Sequence, residues 1–146
     1  MPGPADHIVC QEPFIKTLKP LRYLAAPTLA LTLWLLSSRS TLPMPSGILG
    51  LDKLAHFAAY ATLAVTLVLW PKAETWRLRP LRTALIIIAI ASVYGGIDEL
   101  HQSYVPGRDA SVFDWLADTL GAGFGAAGSA WRQARQARKA RTQTST

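Results

Sequence analysis

Three long stretches without a formal charge decide what this chain can become. Leu21–Ser38 has none after Arg22, Leu54–Trp70 has no Asp, Glu, Lys or Arg and a single histidine, His56, and Ala84–Ile97 has no charged side chain at all. Each, with its flanks, approaches the roughly 20 residues that a helix needs to cross a bilayer core. A fourth stretch, Ser111–Trp131, is less apolar and rich in Gly and Ala. The expected fold is therefore all-α, a bundle of four transmembrane helices at about 21–38, 53–70, 81–103 and 110–131. These form one transmembrane domain, residues 21–131, which suits a chain of 146 residues. Residues 1–20 are expected to be a cytoplasmic N-terminal segment and 132–146 a basic, disordered cytoplasmic tail.

The basic residues orient the bundle. Of the fifteen Lys and Arg, twelve flank the same ends of the spans: Lys16, Lys19 and Arg22 before the first, Lys72, Arg77, Arg79 and Arg82 between the second and third, and Arg132, Arg135, Arg138, Lys139 and Arg141 after the fourth. The positive-inside rule then puts both termini in the cytoplasm. "RQARQARKAR" next to a span reads as an attachment to anionic headgroups rather than a nucleic-acid site. The first apolar run ends in "SSRSTLPMP", a poor cleavage site, so it is read as a span and not as a signal peptide. Cys10 is the one cysteine, which excludes an intrachain disulfide and a multi-cysteine metal site.

With that orientation the polar side chains gather in one layer near the outer face. Asp52, Lys53 and His56 open the second span, Asp98, Glu99, His101 and Gln102 close the third, and Arg108, Asp109 and Asp114 lead into the fourth. Helical spacing groups them into stripes: Asp52, His56 and Tyr60; Tyr94, Asp98, His101 and Gln102; Ser111, Asp114 and Asp118. The last stripe continues into Gly121, Gly125 and Gly128, small residues of the kind that let membrane helices approach closely, within one chain or between two copies. Charges inside a bilayer cost about 2.5–3.5 kcal/mol each on the insertion scale, so such a layer must pair, bind something, or enclose water. Bland readings stand beside this one. Asp52 suits a helix N-cap, Lys53 an interfacial anchor, and "SVFD" a capping box with Asp114 at its end. Glu99 and His56 are not obvious caps; the bland reading of the pair is a structural His–Glu contact holding the second and third spans together.

The stretches "DKLAHFAAY" (Asp52–Tyr60) and "GGIDELHQSYVPGRDASVFDWLADTLGAGFG" (Gly95–Gly125), with "LLSSRSTLP" after the first span, resemble the VanZ-like family of bacterial membrane proteins over roughly Trp34 to Gly128. The family pattern D-K-x-x-H falls on Asp52, Lys53 and His56, D-E-x-x-Q on Asp98, Glu99 and Gln102, and P-x-R on Pro106 and Arg108, followed by Asp114. This chain has Asp118 where the family usually has Asn. The resemblance implies a multi-pass protein of the bacterial cytoplasmic membrane, an envelope-facing role, and a link to resistance against the glycopeptide teicoplanin.

Three functions fit. The first is binding of, or chemistry on, an envelope lipid or lipid-linked cell-wall precursor. In it Arg108 holds a phosphate headgroup, His56 or Glu99 acts as a base, Asp98 orients His56, and Asp52, Lys53, Gln102 and Asp114 complete the binding site. His56, Asp98, Glu99 and Asp114 are also metal-ligand types, but they lack a strict metal-binding spacing, and no metal is expected on that ground. The second function is a small proton-coupled transporter. The third is a non-catalytic scaffold associating, or forming homo-oligomers, through Gly121 and Gly125. Whether the protein is an enzyme, and with which cofactor, is left open by the residues.

Overall fold

A computed structural model describes residues 21–40 and 50–143. Among them are five helices and no strand: α1 (Leu21–Ser37), α2 (Leu51–Leu67), α3 (Ala73–Leu78), α4 (Pro80–Gln102) and α5 (Val112–Gln143). The all-helical expectation holds. The N-terminal segment 1–20, with Lys16 and Lys19, lies outside the described residues, as do 144–146.

Each helix starts or stops where the backbone chemistry changes. Gly50 precedes α2 with φ 81°, a conformation that costs glycine little and other residues more. Pro80 opens α4, where its missing N–H would have had no helical partner. Gly107, at φ 80°, turns the chain between α4 and α5. Ser111 begins α5: its Oγ accepts the Asp114 N–H at 3.4 Å.

Two differences from the sequence reading stand out. Residues 73–78 form a helix of their own, α3, held down by Trp76, which is buried and donates its indole N–H to the Val68 carbonyl at 3.3 Å. Six residues are too few for a helical period to show in the sequence. In addition α5 does not end near residue 131 but runs on to Gln143. The basic segment is helical to that point rather than disordered, because Ala, Arg, Gln and Lys are all strong helix formers.

Residue pairings fix the helix directions. Lys53 meets Asp114, Phe57 meets Gly121 and Ala61 meets Gly125, so α2 and α5 run parallel. Ala30 meets Tyr94 and Ser37 meets Asp98, so α1 and α4 are parallel too. Ser92 meets Thr119 while Glu99 meets Ser111, which sets α4 antiparallel to α5. The four long helices thus alternate in direction, and α2 and α5 make the most intimate pair.

That intimacy comes from glycine. A Cβ on Gly121 would lie 2.2 Å from the Phe57 carbonyl oxygen, and one on Gly125 would lie 2.3 Å from that of Ala61. Gly121 and Gly125 are therefore taken up by packing inside the chain. Gly128 has no such neighbour. The core beneath is apolar and small: Leu63, Ala64, Leu67, Ile87, Ala91, Ala122 and Ala126.

The distribution of polarity is inverted relative to a water-soluble bundle. Val93 is 63 % exposed, Leu120 67 % and Phe124 70 %, whereas Asp118 is 0 %, Gln102 2 % and Asp98 3 % exposed. By length and composition one helix among the described residues, α4, is long and apolar enough to cross a membrane, and α1 is apolar but 17 residues long.

Candidate functional site

The carboxyl-terminal end of α4 and the amino-terminal ends of α2 and α5 converge, with the end of α1 beside them, around a cavity of about 440 Å³. Its wall is mixed. Leu33, Leu36, Ala55 and Ala59 are apolar, and Ser37, Asp52, His56, Asp98, Gln102, Arg108, Asp109 and Asp114 are polar. Three connected groups of side chains build the polar part.

The deepest is centred on His56. Its Nδ1 lies 3.0 Å from Asp118 Oδ1, and Asp118 is fully buried. Glu99 Oε1 lies 3.8 Å from the same nitrogen, beyond hydrogen-bond reach. The other Glu99 oxygen accepts the Ser111 N–H at 2.8 Å, which ties the carboxylate to the start of α5, where the helix dipole favours negative charge. Asp118 Oδ2 packs where a Cβ on Gly95 would sit, 2.8 Å from it, so α4 needs glycine there to admit the acid.

A second group runs from α1 to the rim. Ser37 donates its hydroxyl to Asp98 Oδ1 at 2.6 Å, and Gln102 donates its amide to Asp98 Oδ2 at 3.0 Å. The Gln102 carbonyl then accepts two N–H groups of Arg108, at 2.6 and 3.2 Å. Both oxygens of the buried Asp98 are satisfied, and Arg108 is aimed by an amide rather than neutralised by an acid. Among the described residues it has no carboxylate within ion-pair distance.

The third group is the most exposed. Lys53 bridges Asp52 at 2.8 Å and Asp114 at 3.0 Å, linking the starts of α2 and α5. Asp52 is not the N-cap of α2; Gly50 holds that position. Asp114 makes half of the capping box through its N–H and gives its carboxylate to Lys53.

All eight residues singled out from the sequence, Asp52, Lys53, His56, Asp98, Glu99, Gln102, Arg108 and Asp114, belong to these three groups. One pairing differs. Asp98 does not orient His56, because its oxygens are engaged by Ser37 and Gln102; Asp118 stands against the imidazole instead. The metal-ligand types brought together are accordingly His56, Glu99 and Asp118, with one ligand atom from each within 4.8 Å of the others, and not Asp98 or Asp114. Two contributors went unassigned in the sequence. Ser37 carries no signal beyond closing the first apolar run. Asp118 had one, its place on the Asp114–Gly121 stripe. His101, near the end of α4, stacks on Trp34 with ring centroids 4.0 Å apart.

The family model described as VanZ/LLP1 matches residues 4–132, nearly the whole chain. The chain belongs to the VanZ/LLP1 family. No curated protein and no solved structure matches it. Membership makes it a membrane protein of the VanZ type, in agreement with the apolar helix α4. In this VanZ-type chain the stretches that carried the resemblance are distant in sequence yet adjacent in space. Asp52 and His56 of D-K-x-x-H on α2, Asp98 and Gln102 of D-E-x-x-Q on α4, and Arg108 of the P-x-R turn line one cavity.

Proposed function

We propose that this protein spans the bacterial cytoplasmic membrane four times, with both termini in the cytoplasm, and that its outward-facing cavity binds the headgroup of an anionic envelope lipid or lipid-linked cell-wall component. The inverted polarity carries the membrane part of this reading. Leu, Val and Phe face outward along α4 and α5 while five polar side chains, Asp98, Glu99, Gln102, Asp114 and Asp118, are buried, which suits hydrocarbon as the surrounding solvent. At 17 residues, α1 and α2 sit at the short end of the range of about 17–25 for a span. The strong excess of Lys and Arg at the opposite end from the cavity supports the orientation.

Arg108 supports the ligand class. A guanidinium held at a cavity rim without a carboxylate partner is suited to bidentate contact with phosphate. The apolar wall of Leu33, Leu36, Ala55 and Ala59 offers a surface for the first carbons of an acyl or prenyl chain. His56 lines the cavity, with Glu99 3.8 Å from its Nδ1, and is the group placed for proton transfer if the bound headgroup reacts. Binding of a cell-wall precursor would connect the protein to glycopeptide resistance, teicoplanin included. Proton-coupled transport is the weaker reading, since the core below Asp118 is Leu, Ile and Ala.

Native mass spectrometry of the purified protein released from detergent, beside Arg108→Ala and Glu99→Gln, tests the reading. An anionic lipid retained by the wild type and lost from Arg108→Ala is the expected result. A wild type that carries no specific lipid refutes the binding role and leaves the scaffold alternative.

A further inference from the structure

We propose that His56, Glu99 and Asp118 form a site for a divalent first-row transition-metal ion, zinc or manganese, joining α2, α4 and α5. This does not depend on lipid binding at the cavity.

The first ground is geometry. A metal held at about 2.1 Å by nitrogen and oxygen ligands sets neighbouring donors about 3.0 Å apart in an octahedral corner and about 3.4 Å apart in a tetrahedron. His56 Nδ1 lies 3.0 Å from Asp118 Oδ1 and 3.8 Å from Glu99 Oε1, with all three donors within 4.8 Å of one another. Small rotations of two carboxylates close the set around an ion.

The second ground is unsatisfied chemistry. Glu99 Oε1 is buried 3.8 Å from His56 Nδ1 and accepts no hydrogen bond, and the Glu99 side chain is only 9 % exposed. Buried polar atoms are nearly always satisfied, so such an oxygen next to an imidazole calls for a missing partner. Local charge points to the same partner. Glu99 and Asp118 are served by one imidazole, and the nearby cations are engaged elsewhere, Lys53 by Asp52 and Asp114 and Arg108 by Gln102. Two buried acids leave a negative excess that a divalent cation cancels.

The donor set selects the metal. An imidazole nitrogen with two carboxylates favours zinc or manganese over magnesium and calcium, which take oxygen ligands. No thiolate is in the set, which removes the ligand that favours copper(I). In the metal-free protein the Nδ1 proton can be donated to Asp118. Binding places the ion on Nδ1 and shifts that proton to Nε2, so the imidazole binds as a neutral ligand.

The test uses the full chain, purified through a tag without histidine and stripped with chelator. Zinc chloride and manganese chloride are titrated separately, with bound metal counted by elemental mass spectrometry. About one ion per chain and at least about tenfold weaker binding in Glu99→Gln and Asp118→Asn are expected. Glu74→Gln, at an exposed acid on α3, should bind as the wild type does. X-ray absorption at the zinc edge of the wild type provides a readout that needs no variant, with one imidazole and otherwise oxygen ligands expected. The site is overturned if the wild type binds neither ion, if both triad variants keep wild-type affinity, or if the absorption spectrum shows sulfur or several imidazoles.

Discussion

Alanine at Gly121 should pry α2 and α5 apart, and the structure says by how much. The new Cβ would stand 2.2 Å from the Phe57 carbonyl oxygen, 2.9 Å from its carbon and 3.0 Å from its Cα. Ordinary contact between non-bonded heavy atoms begins near 3.5 Å, so the two backbones must separate by more than ~1 Å at that point. The obstacle is main chain, which cannot rotate away as a side chain tip would. Overpacking of this kind costs about 1–3 kcal/mol. Against it stands the helix preference of alanine over glycine, about 0.5–1 kcal/mol.

Gly123 supplies the control. It lies on the same helix two residues further on, and a Cβ there meets nothing within 4 Å. Gly123→Ala gains the same helix preference without the clash and should match or exceed the wild type. The difference between the two variants isolates the clash at about 1–3 kcal/mol. Purified protein in mixed micelles, unfolded with increasing SDS and followed by tryptophan fluorescence, reads this difference. Gly125→Ala should behave like Gly121→Ala, since its Cβ would come 2.3 Å from the Ala61 carbonyl. Equal stability of Gly121→Ala and Gly123→Ala would refute the close approach of these two backbones. It would also undermine the register that brings His56 to Asp118, because the two contacts lie within a turn of each other.

Ser37→Ala removes the 2.6 Å hydrogen bond to the buried Asp98 carboxylate and should lower stability in the same assay by about 1.5–3 kcal/mol, the range for bonds to charged groups. Gln102→Leu leaves Arg108 without the carbonyl that aims it. It should weaken retention of an anionic lipid in native mass spectra as much as Arg108→Ala does, and undiminished retention would show that the amide does not position the guanidinium. In a Cys10→Ser background, Tyr104→Cys, at an exposed turn on the cavity side, should react with a membrane-impermeant maleimide on intact cells, and Lys72→Cys only after permeabilisation; the reverse pattern would invert the orientation.

Much of this arrangement can be read from residue spacing, and the remainder has a specific physical origin. The apolar runs locate α1, α2 and α4 to within a few residues, and i, i+4 spacing puts Asp52, His56 and Tyr60 on one face of α2. Depth along each run places Asp98, Glu99 and Asp114 near the same level. What spacing within single helices does not give is which acid reaches His56, because that depends on the separation and register between helices. Asp98 and Asp118 are equally plausible from their own stripes. The choice is made by the glycines. Gly121 and Gly125 let α5 settle against the Phe57 and Ala61 carbonyls of α2, and with the helices parallel this carries Asp118, one turn before Gly121, to His56, one residue before Phe57. Gly95 on α4 then leaves the space that Asp118 Oδ2 occupies. Asp98 is left to Ser37 and Gln102, where it aims the rim arginine through the amide. The same acids on helices held a full side chain apart would form a looser polar layer. Three glycines that carry no chemistry thus determine which carboxylates face the histidine.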